Sequence, residues 1–227
     1  MKDSRKDDKD SILSIFNDLI QSGTITTIYG PGGSGKTLLC ILLAEEVLKN
    51  KKNKIIYVDT EGGFSVERFL QVSNDENILE RMIFLKPKNF NEQKKDINHL
   101  VKIVKNNIKL IIVDTIAMQY RLELANRDVE EGFKKTNKEL IRQISILTEL
   151  ARTKNIPVVL TNQVYTDLET GKINMVGGEM LKYGSKCLIE LMDLSEGYRQ
   201  FILRKHRSLP EKSFTFKIIN DGISIVE

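Results

Sequence analysis

The sequence predicts one α/β domain: a mostly parallel sheet covered by helices, followed by an antiparallel β extension at the C-terminal end. Three observations carry this expectation. Short apolar runs such as Ile55-Ile56-Tyr57-Val58 and Leu110-Ile111-Ile112-Val113 alternate with stretches whose apolar residues recur at helical spacing. One β-rich run, Ile25-Thr26-Thr27-Ile28-Tyr29, enters the glycine turn Gly30-Pro31-Gly32-Gly33-Ser34-Gly35-Lys36-Thr37 and emerges as the helical Leu38-Leu39-Cys40-Ile41-Leu42-Leu43-Ala44. In the last third the helical spacing stops, and residues 188–194, 200–206, 213–219 and 223–226 read as strands with short links.

Taken in order, Ile12, Leu13, Ile15, Phe16, Leu19 and Ile20 predict a short helix that Gly23 ends. The strand and helix around the glycine turn follow, the helix running to about Lys49. A Lys/Asn-rich turn leads to a strand at 54–59, a helix around 66–72, a strand at 82–85 and a helix at 90–104. The run 109–114 is another buried strand. Residues 115–135 read as polar and irregular, before a long amphipathic helix carrying Leu140, Ile141, Ile144, Leu147, Leu150 and Ala151. A strand at 156–160 has its Pro157 near the start, where a missing N–H is tolerated. A loop then runs to Gly177-Gly178 and a short helix, and Asn220-Asp221-Gly222 forms a hairpin turn near the C-terminus.

The 227 residues suit one domain over residues 11–227, preceded by a mixed-charge tail at 1–10 that lacks the apolar core of a secretory signal. No apolar run approaches the roughly 20 residues that span a bilayer, so no membrane partner is expected. Cys40 and Cys187 each sit in an apolar run and read as buried free thiols, which suits a cytoplasmic protein. A net charge of +4 permits nucleic-acid binding without arguing for it, because affinity follows clustering more than the total. With only two histidines, His99 and His206, and no Cys/His cluster, a zinc site is not expected.

The chemistry starts at the glycine turn. Strand, G-x-x-x-x-G-K-[ST] and helix together form a P-loop. Gly30, Pro31, Gly32, Gly33, Ser34 and Gly35 let successive backbone N–H groups curl around a phosphate. The helix N-terminus opening at Leu38, together with Lys36, supplies positive charge, and Thr37 offers a hydroxyl to Mg2+. Three other strand ends present polar groups at the carboxyl edge of a parallel sheet, where ligands bind. Asp114 stands in the Walker B position; it is also a plausible helix cap, but beside a P-loop the metal role is the expected one. Glu61 could activate a water or be an exposed turn residue, and Gln163 could touch a γ-phosphate or be an ordinary loop residue; spacing leaves both open. Lys205 and Arg207, two apart on one expected strand, could reach a phosphate in a neighbouring subunit or simply form a basic, solvent-facing strand end.

Together these residues resemble the RecA/RadA recombinase superfamily, and most of all its short paralogues, over about residues 11–227. The motifs are Asp59-Thr60-Glu61-Gly62-Gly63-Phe64 with Glu67-Arg68, Val113-Asp114-Thr115 with Tyr120-Arg121, Thr161-Asn162-Gln163-Val164, Gly177-Gly178, and Lys205-His206-Arg207-Ser208-Leu209-Pro210-Glu211. The resemblance implies a P-loop NTPase of RecA type with ATP and Mg2+ as ligands. Glu61 is then the water-activating base, Gln163 the γ-phosphate sensor, and Arg68 the residue that packs on the adenine. It also implies that the loops after Asp114 and Gln163 meet DNA, single-stranded above all, with Tyr120, Arg121, Arg127, Tyr165 and Lys172 as the contact residues.

The departures shape the functional expectation. No helix-hairpin-helix domain or F-x-x-A motif precedes the core, the loop after Gln163 is short and carries Asp167 and Glu169, and Ser65 stands where recombinases commonly carry arginine. The expectation is an ATP- and DNA-binding accessory protein of homologous recombination and repair, with weak ATPase activity, a recombinase or other repair protein as partner, and possible self-association near the nucleoid. The alternative is a nucleotide-gated binding module with negligible hydrolysis. A third reading, a phosphotransferase for a small acceptor, lacks an arginine-rich lid.

Overall fold

In the computed structural model, which describes residues 18–73, 75–126, 130–166 and 173–226, the first half runs through β1 (Ile25–Gly30), α1 (Lys36–Leu48), β2 (Lys54–Asp59), α2 (Val66–Val72), β3 (Met82–Leu85), α3 (Phe90–Ile103) and β4 (Ile108–Asp114). The second half contains α4 (Met118–Ala125), α5 (Glu130–Lys154), β5 (Val158–Thr166), β6 (Ile173–Met175), α6 (Gly178–Gly184), β7 (Cys187–Asp193), β8 (Tyr198–Lys205), β9 (Lys212–Ile219) and β10 (Gly222–Val226). The strands form one sheet in the order β10-β9-β8-β7-β1-β5-β4-β2-β3, with β6 added to β5. From β7 to β3 all neighbours are parallel, and β7 through β10 pair antiparallel.

Alternation along the strands builds two cores. Ile55 and Tyr57 of β2, with Leu110 and Ile112 of β4, face the layer containing α1. Ile56 and Val58, with Ile111 and Val113, face α3 and α5. Each fully buried aliphatic side chain favours this arrangement by about 1.5–3 kcal/mol over exposure, so a one-residue slip in register is excluded. Between Leu38 and Ala44, α1 is apolar on every side because it is enclosed there. Leu38 to Ala44 are all buried, and Phe201, Leu203, Phe216 and Ile223 of the antiparallel strands join the same core. Cys40 and Cys187 are buried and free, as expected.

Several elements differ from the sequence expectation. Residues 115–135 were expected to be irregular but include α4 and the start of α5. Polar side chains hold α4 rather than an apolar stripe: Gln119 Nε2 donates to Thr60 O at 2.8 Å and Tyr120 OH to Asn137 Oδ1 at 2.7 Å, so periodicity does not reveal it. β5 continues past Leu160 to Thr166 and pairs with β6, replacing part of the expected loop. β7, grouped on sequence with the antiparallel extension, lies parallel to β1 and joins the two halves of the sheet. The expected tail at 1–10 and most of the helix at 12–20 lie outside the described residues.

Candidate functional site

Register brings the predicted strand ends to one edge. Gly30 of β1 pairs with Gln163 of β5, and Asp59 of β2 with Asp114 of β4. The P-loop leaves β1 at Gly30, where a Cβ would stand 2.2 Å from Leu191 O; only glycine lets β7 pass so close. Gly35, at φ 99°, turns the chain into α1 with no side-chain cap, which leaves the first N–H groups of that helix for a ligand. A Cβ on Gly32 or Gly33 would meet nothing within 4 Å, so this side of the loop is open. Lys36 folds back, its Nζ donating to Gly30 O at 3.0 Å and Pro31 O at 2.6 Å. Burial lowers its pKa, and the carboxylates of Asp114 and Glu61 pull it partly back. Leu38 is buried beneath the loop, and Ser34 Oγ is buried with no partner among the described residues.

Asp114 is the focus of three hydroxyls. Thr37 Oγ1 and Tyr57 OH each donate to its Oδ2 at 2.8 Å, and Thr161 Oγ1 donates to Oδ1. Tyr57 is fully buried and its ring meets Phe64 edge-on at 5.0 Å and Phe84 at 5.9 Å. Burial, and after it the nearby Cys40 and Asp114, hold the Tyr57 phenol well above its ordinary pKa, so it stays a donor.

Glu61 sits in a loop shaped by Asp59, whose carboxylate accepts the N–H groups of Gly62 at 2.8 Å, Gly63 at 3.1 Å and Phe64 at 3.4 Å. Thr60 and Thr115 lock this loop to the exit of β4: Thr60 Oγ1 donates to Thr115 O and accepts from Thr115 N. Glu61 Oε1 then accepts two bonds of 2.9 Å, from Thr115 Oγ1 and from Gln163 Nε2. Lys36, Thr37, Glu61, Asp114 and Gln163 therefore form one cluster joined by hydrogen bonds and short-range charge interactions.

The other predicted residues are spread around it. Arg68 binds the β9–β10 turn, donating to Ile219 O and Asn220 O at 2.7 Å each. Ser65, in the expected arginine position, caps α2 by accepting from Arg68 N at 3.0 Å. Lys205 Nζ caps the end of α6, donating to Lys182 O and Ser185 O at 2.8 Å. Arg207 is exposed but lies beyond the end of β8, so the shared strand face expected for the pair is not formed. Tyr120 is buried with its ring edge against Phe90, which turns it away from solvent. Arg121 and Tyr165 are exposed, and Arg121 lines a shallow cleft with Ala117, Met118, Asn162, Gln163 and Val176. Arg127 and Lys172 lie outside the described residues.

Sequence reasoning missed Tyr57, Thr115, Thr161 and Arg199. A phenol inside an otherwise apolar strand was a usable signal, because a buried Tyr hydroxyl needs a partner. Nothing in the spacing marked Arg199, which reaches the P-loop from β8. A surface groove of about 500 Å3 between α5 and α6 is apolar and separate from this cluster; Ile141, an expected core position, lines it and is half exposed.

Hydroxyl and carboxylate oxygens at Thr37 and Asp114 fit a hard divalent cation shared with phosphates, and the open loop with the unpartnered Ser34 Oγ fits an anion. Among the described residues no group of three or more His, Cys, Asp or Glu side chains could hold a metal ion by itself. Sheet order, P-loop and the Asp114 centre together define a P-loop NTPase fold of RecA type. The Rad51 family profile matches residues 7–226. The protein named DNA repair and recombination protein RadB in Methanococcoides burtonii is 40% identical over 206 residues, covering 89% of each chain. Its counterpart in Methanocaldococcus jannaschii is 40% identical over 212 residues, covering 91% of this chain and 95% of the relative. A crystal structure of the RadB recombinase matches with a TM-score of 0.76 and 35% identity, covering 93% of this chain and 96% of that one. The chain belongs to the Rad51 family, within its RadB group. No helix among the described residues is long and apolar enough to cross a membrane.

Proposed function

We propose that this protein binds ATP with Mg2+ and binds DNA, and that it serves homologous recombination and repair as an accessory factor with weak ATPase activity. Backbone N–H groups of residues 30–38 and Lys36 would hold the phosphates, and Arg68 would face the base. Thr37 and Asp114 would hold Mg2+, which when bound neutralises charge on the phosphate oxygens. Glu61 is the general base, taking a proton from the attacking water. Gln163 couples the site to the β5–β6 segment, and Arg121, Arg127, Tyr165 and Lys172 are the candidates to meet DNA there. Arg207, and Lys205 if it leaves α6, would act on the nucleotide of a neighbouring copy or of a recombinase partner. The names carried by the 40% identical relatives support the repair setting.

The observation that carries the mechanism is the anchoring of Glu61 Oε1 by Thr115 and Gln163, beside the P-loop cluster. Removal of a general base costs about 10²–10⁴-fold in rate. Glu61→Gln is therefore expected to slow single-turnover ATP hydrolysis by about 100-fold or more while ATP still binds. Unchanged hydrolysis with intact binding would remove Glu61 from the role.

A second reading, in which ATP sets conformation and turnover is incidental, is favoured by one observation. Gln163 lies on a strand that continues beyond the site to Thr166 and into the pairing with β6. DNA affinity that changes with ATP and keeps that change in Glu61→Gln would select this reading over the ATPase.

A further inference from the structure

The outer wall of the P-loop is not made by the P-loop motif. It is made by the antiparallel strands that follow β7. A Cβ built on Gly35 would meet Ile218 Cδ1 at 3.4 Å, Phe216 Cε2 at 3.8 Å and the Cδ of Arg199 at 3.9 Å. Arg199 opens β8, opposite Phe216 of β9 and Asp193 of β7. Its Nε donates to Gly33 O at 3.1 Å and its Nη1 to Gly197 O at 2.9 Å. One guanidinium thus bridges the phosphate loop and the turn before β8, using two donors of a fixed planar fork.

Gly33 is a telling place for that bond. The loop binds anions through N–H groups, so its carbonyls must point away from the cradle. A trans peptide sets its C=O and the next N–H in opposite directions, so an outward hold on Gly33 O fixes the direction of Ser34 N–H. The loop otherwise satisfies itself: Ser34 N–H reaches Pro31 O at 3.4 Å, and Lys36 Nζ binds the same carbonyl at 2.6 Å. Lys36 Nζ must turn from Pro31 O to meet a phosphate. The 3.4 Å contact of Ser34 N–H is long for a hydrogen bond and leaves that donor available to a phosphate in the orientation it already has. With the open side at Gly32 and Gly33, Arg199 is the side-chain hydrogen-bond donor that grips this stretch from outside among the described residues.

We propose that Arg199 is a positioning residue for phosphate binding, holding the Gly33–Ser34 peptide in the anion-binding orientation from the strand layer next to the P-loop. The inference rests on the reading of residues 30–37 as a phosphate site. It assigns Arg199 to the phosphates of any nucleotide and to no part of the base. An ammonium cannot reproduce the two-donor fork, so charge alone does not substitute for it.

The test compares wild type, Arg199→Ala and Arg199→Lys for binding of ADP, ATP, GTP and inorganic tripolyphosphate, each displacing a fluorescent ADP analogue. Arg199→Ala is expected to weaken ADP, ATP and tripolyphosphate together by about tenfold, the scale of one charge-assisted hydrogen bond. The ATP-to-GTP affinity ratio should stay unchanged. Arg199→Lys keeps the aliphatic stem over Gly35 and the charge, and guards against a folding defect in the alanine variant; it should show most of the same loss, with a ligand-free melting temperature near that of wild type. Wild-type tripolyphosphate affinity in both variants would overturn the inference. So would a loss confined to nucleotides and absent for tripolyphosphate, or full affinity in Arg199→Lys. Failure of wild type itself to bind tripolyphosphate or ADP would instead overturn the phosphate-site reading beneath it.

Discussion

Tyr57→Phe removes one oxygen from the centre of the molecule and leaves the ring. Phenylalanine fills the same space, so the contacts with Phe64 and Phe84 at 5.0 and 5.9 Å persist and no cavity opens. What is lost is the 2.8 Å bond to Asp114 Oδ2, between a fully buried hydroxyl and a carboxylate that is 3% exposed. Hydrogen bonds to charged groups contribute about 1.5–3 kcal/mol. Thr37 and Thr161 still donate to Asp114, so the carboxylate is not orphaned and the lower end applies, about 1.5 kcal/mol. For a domain of this size that lowers the melting temperature by roughly 3–6 °C. Groups around a metal carboxylate also set its orientation, and their loss typically weakens metal binding by about 10–100-fold. The Mg2+ concentration for half-maximal nucleotide binding should therefore rise about tenfold, while affinity measured in chelator stays at the wild-type value. Thermal unfolding and Mg2+ titrations at fixed nucleotide read both effects. A variant as stable as wild type with the same Mg2+ dependence would refute the claim that the Tyr57 hydroxyl orients Asp114.

Two further outcomes follow from the site. Burial lowers the Lys36 pKa, so in the ligand-free protein this group loses its charge earlier than a free lysine as the pH rises; phosphate affinity should fall through the alkaline range, with the fall largely absent in Lys36→Arg, and titration calorimetry from pH 7 to 10 checks the slopes. Arg68→Ala removes two 2.7 Å bonds to the β9–β10 turn; it should cost about 1–2 kcal/mol in denaturant unfolding and narrow the affinity gap between ATP and GTP, whereas an unchanged gap would exclude Arg68 from the base site.

The parts of the fold that the sequence made legible are those in which physics leaves one answer. Apolar runs at 55–58 and 110–113 can only be strands buried on both faces, and the residues closing them must then meet at one edge, which is where Asp114 and the P-loop meet. Less legible was α4, because Gln119 and Tyr120 are buried through hydrogen bonds that leave no apolar period. Glu61 and Gln163 were nameable from spacing as candidates, but their bond joins positions 102 residues apart and depends on β5 lying between β1 and β4. The expected pairing of Lys205 with Arg207 assumed that the strand continued; β8 stops at Lys205, whose ammonium binds the end of α6 instead. Arg199 had no local signal at all. Its position over Gly33 arises only when β7 lies against β1 and carries β8 across the phosphate loop.

The Glu61 carboxylate divides its two oxygens between two duties. Thr115 and Gln163 both end on Oε1, and among the described residues Oε2 accepts no hydrogen bond. The exposed side chain is thus held through one of its two oxygens. Release of Gln163 would leave Thr115 as a single pivot, about which the carboxylate could swing and exchange its oxygens. The angular freedom of one terminal bond is in this way tied to the position of a whole β-strand, so a shift of β5 would act on the Glu61 carboxylate without moving the backbone that carries it.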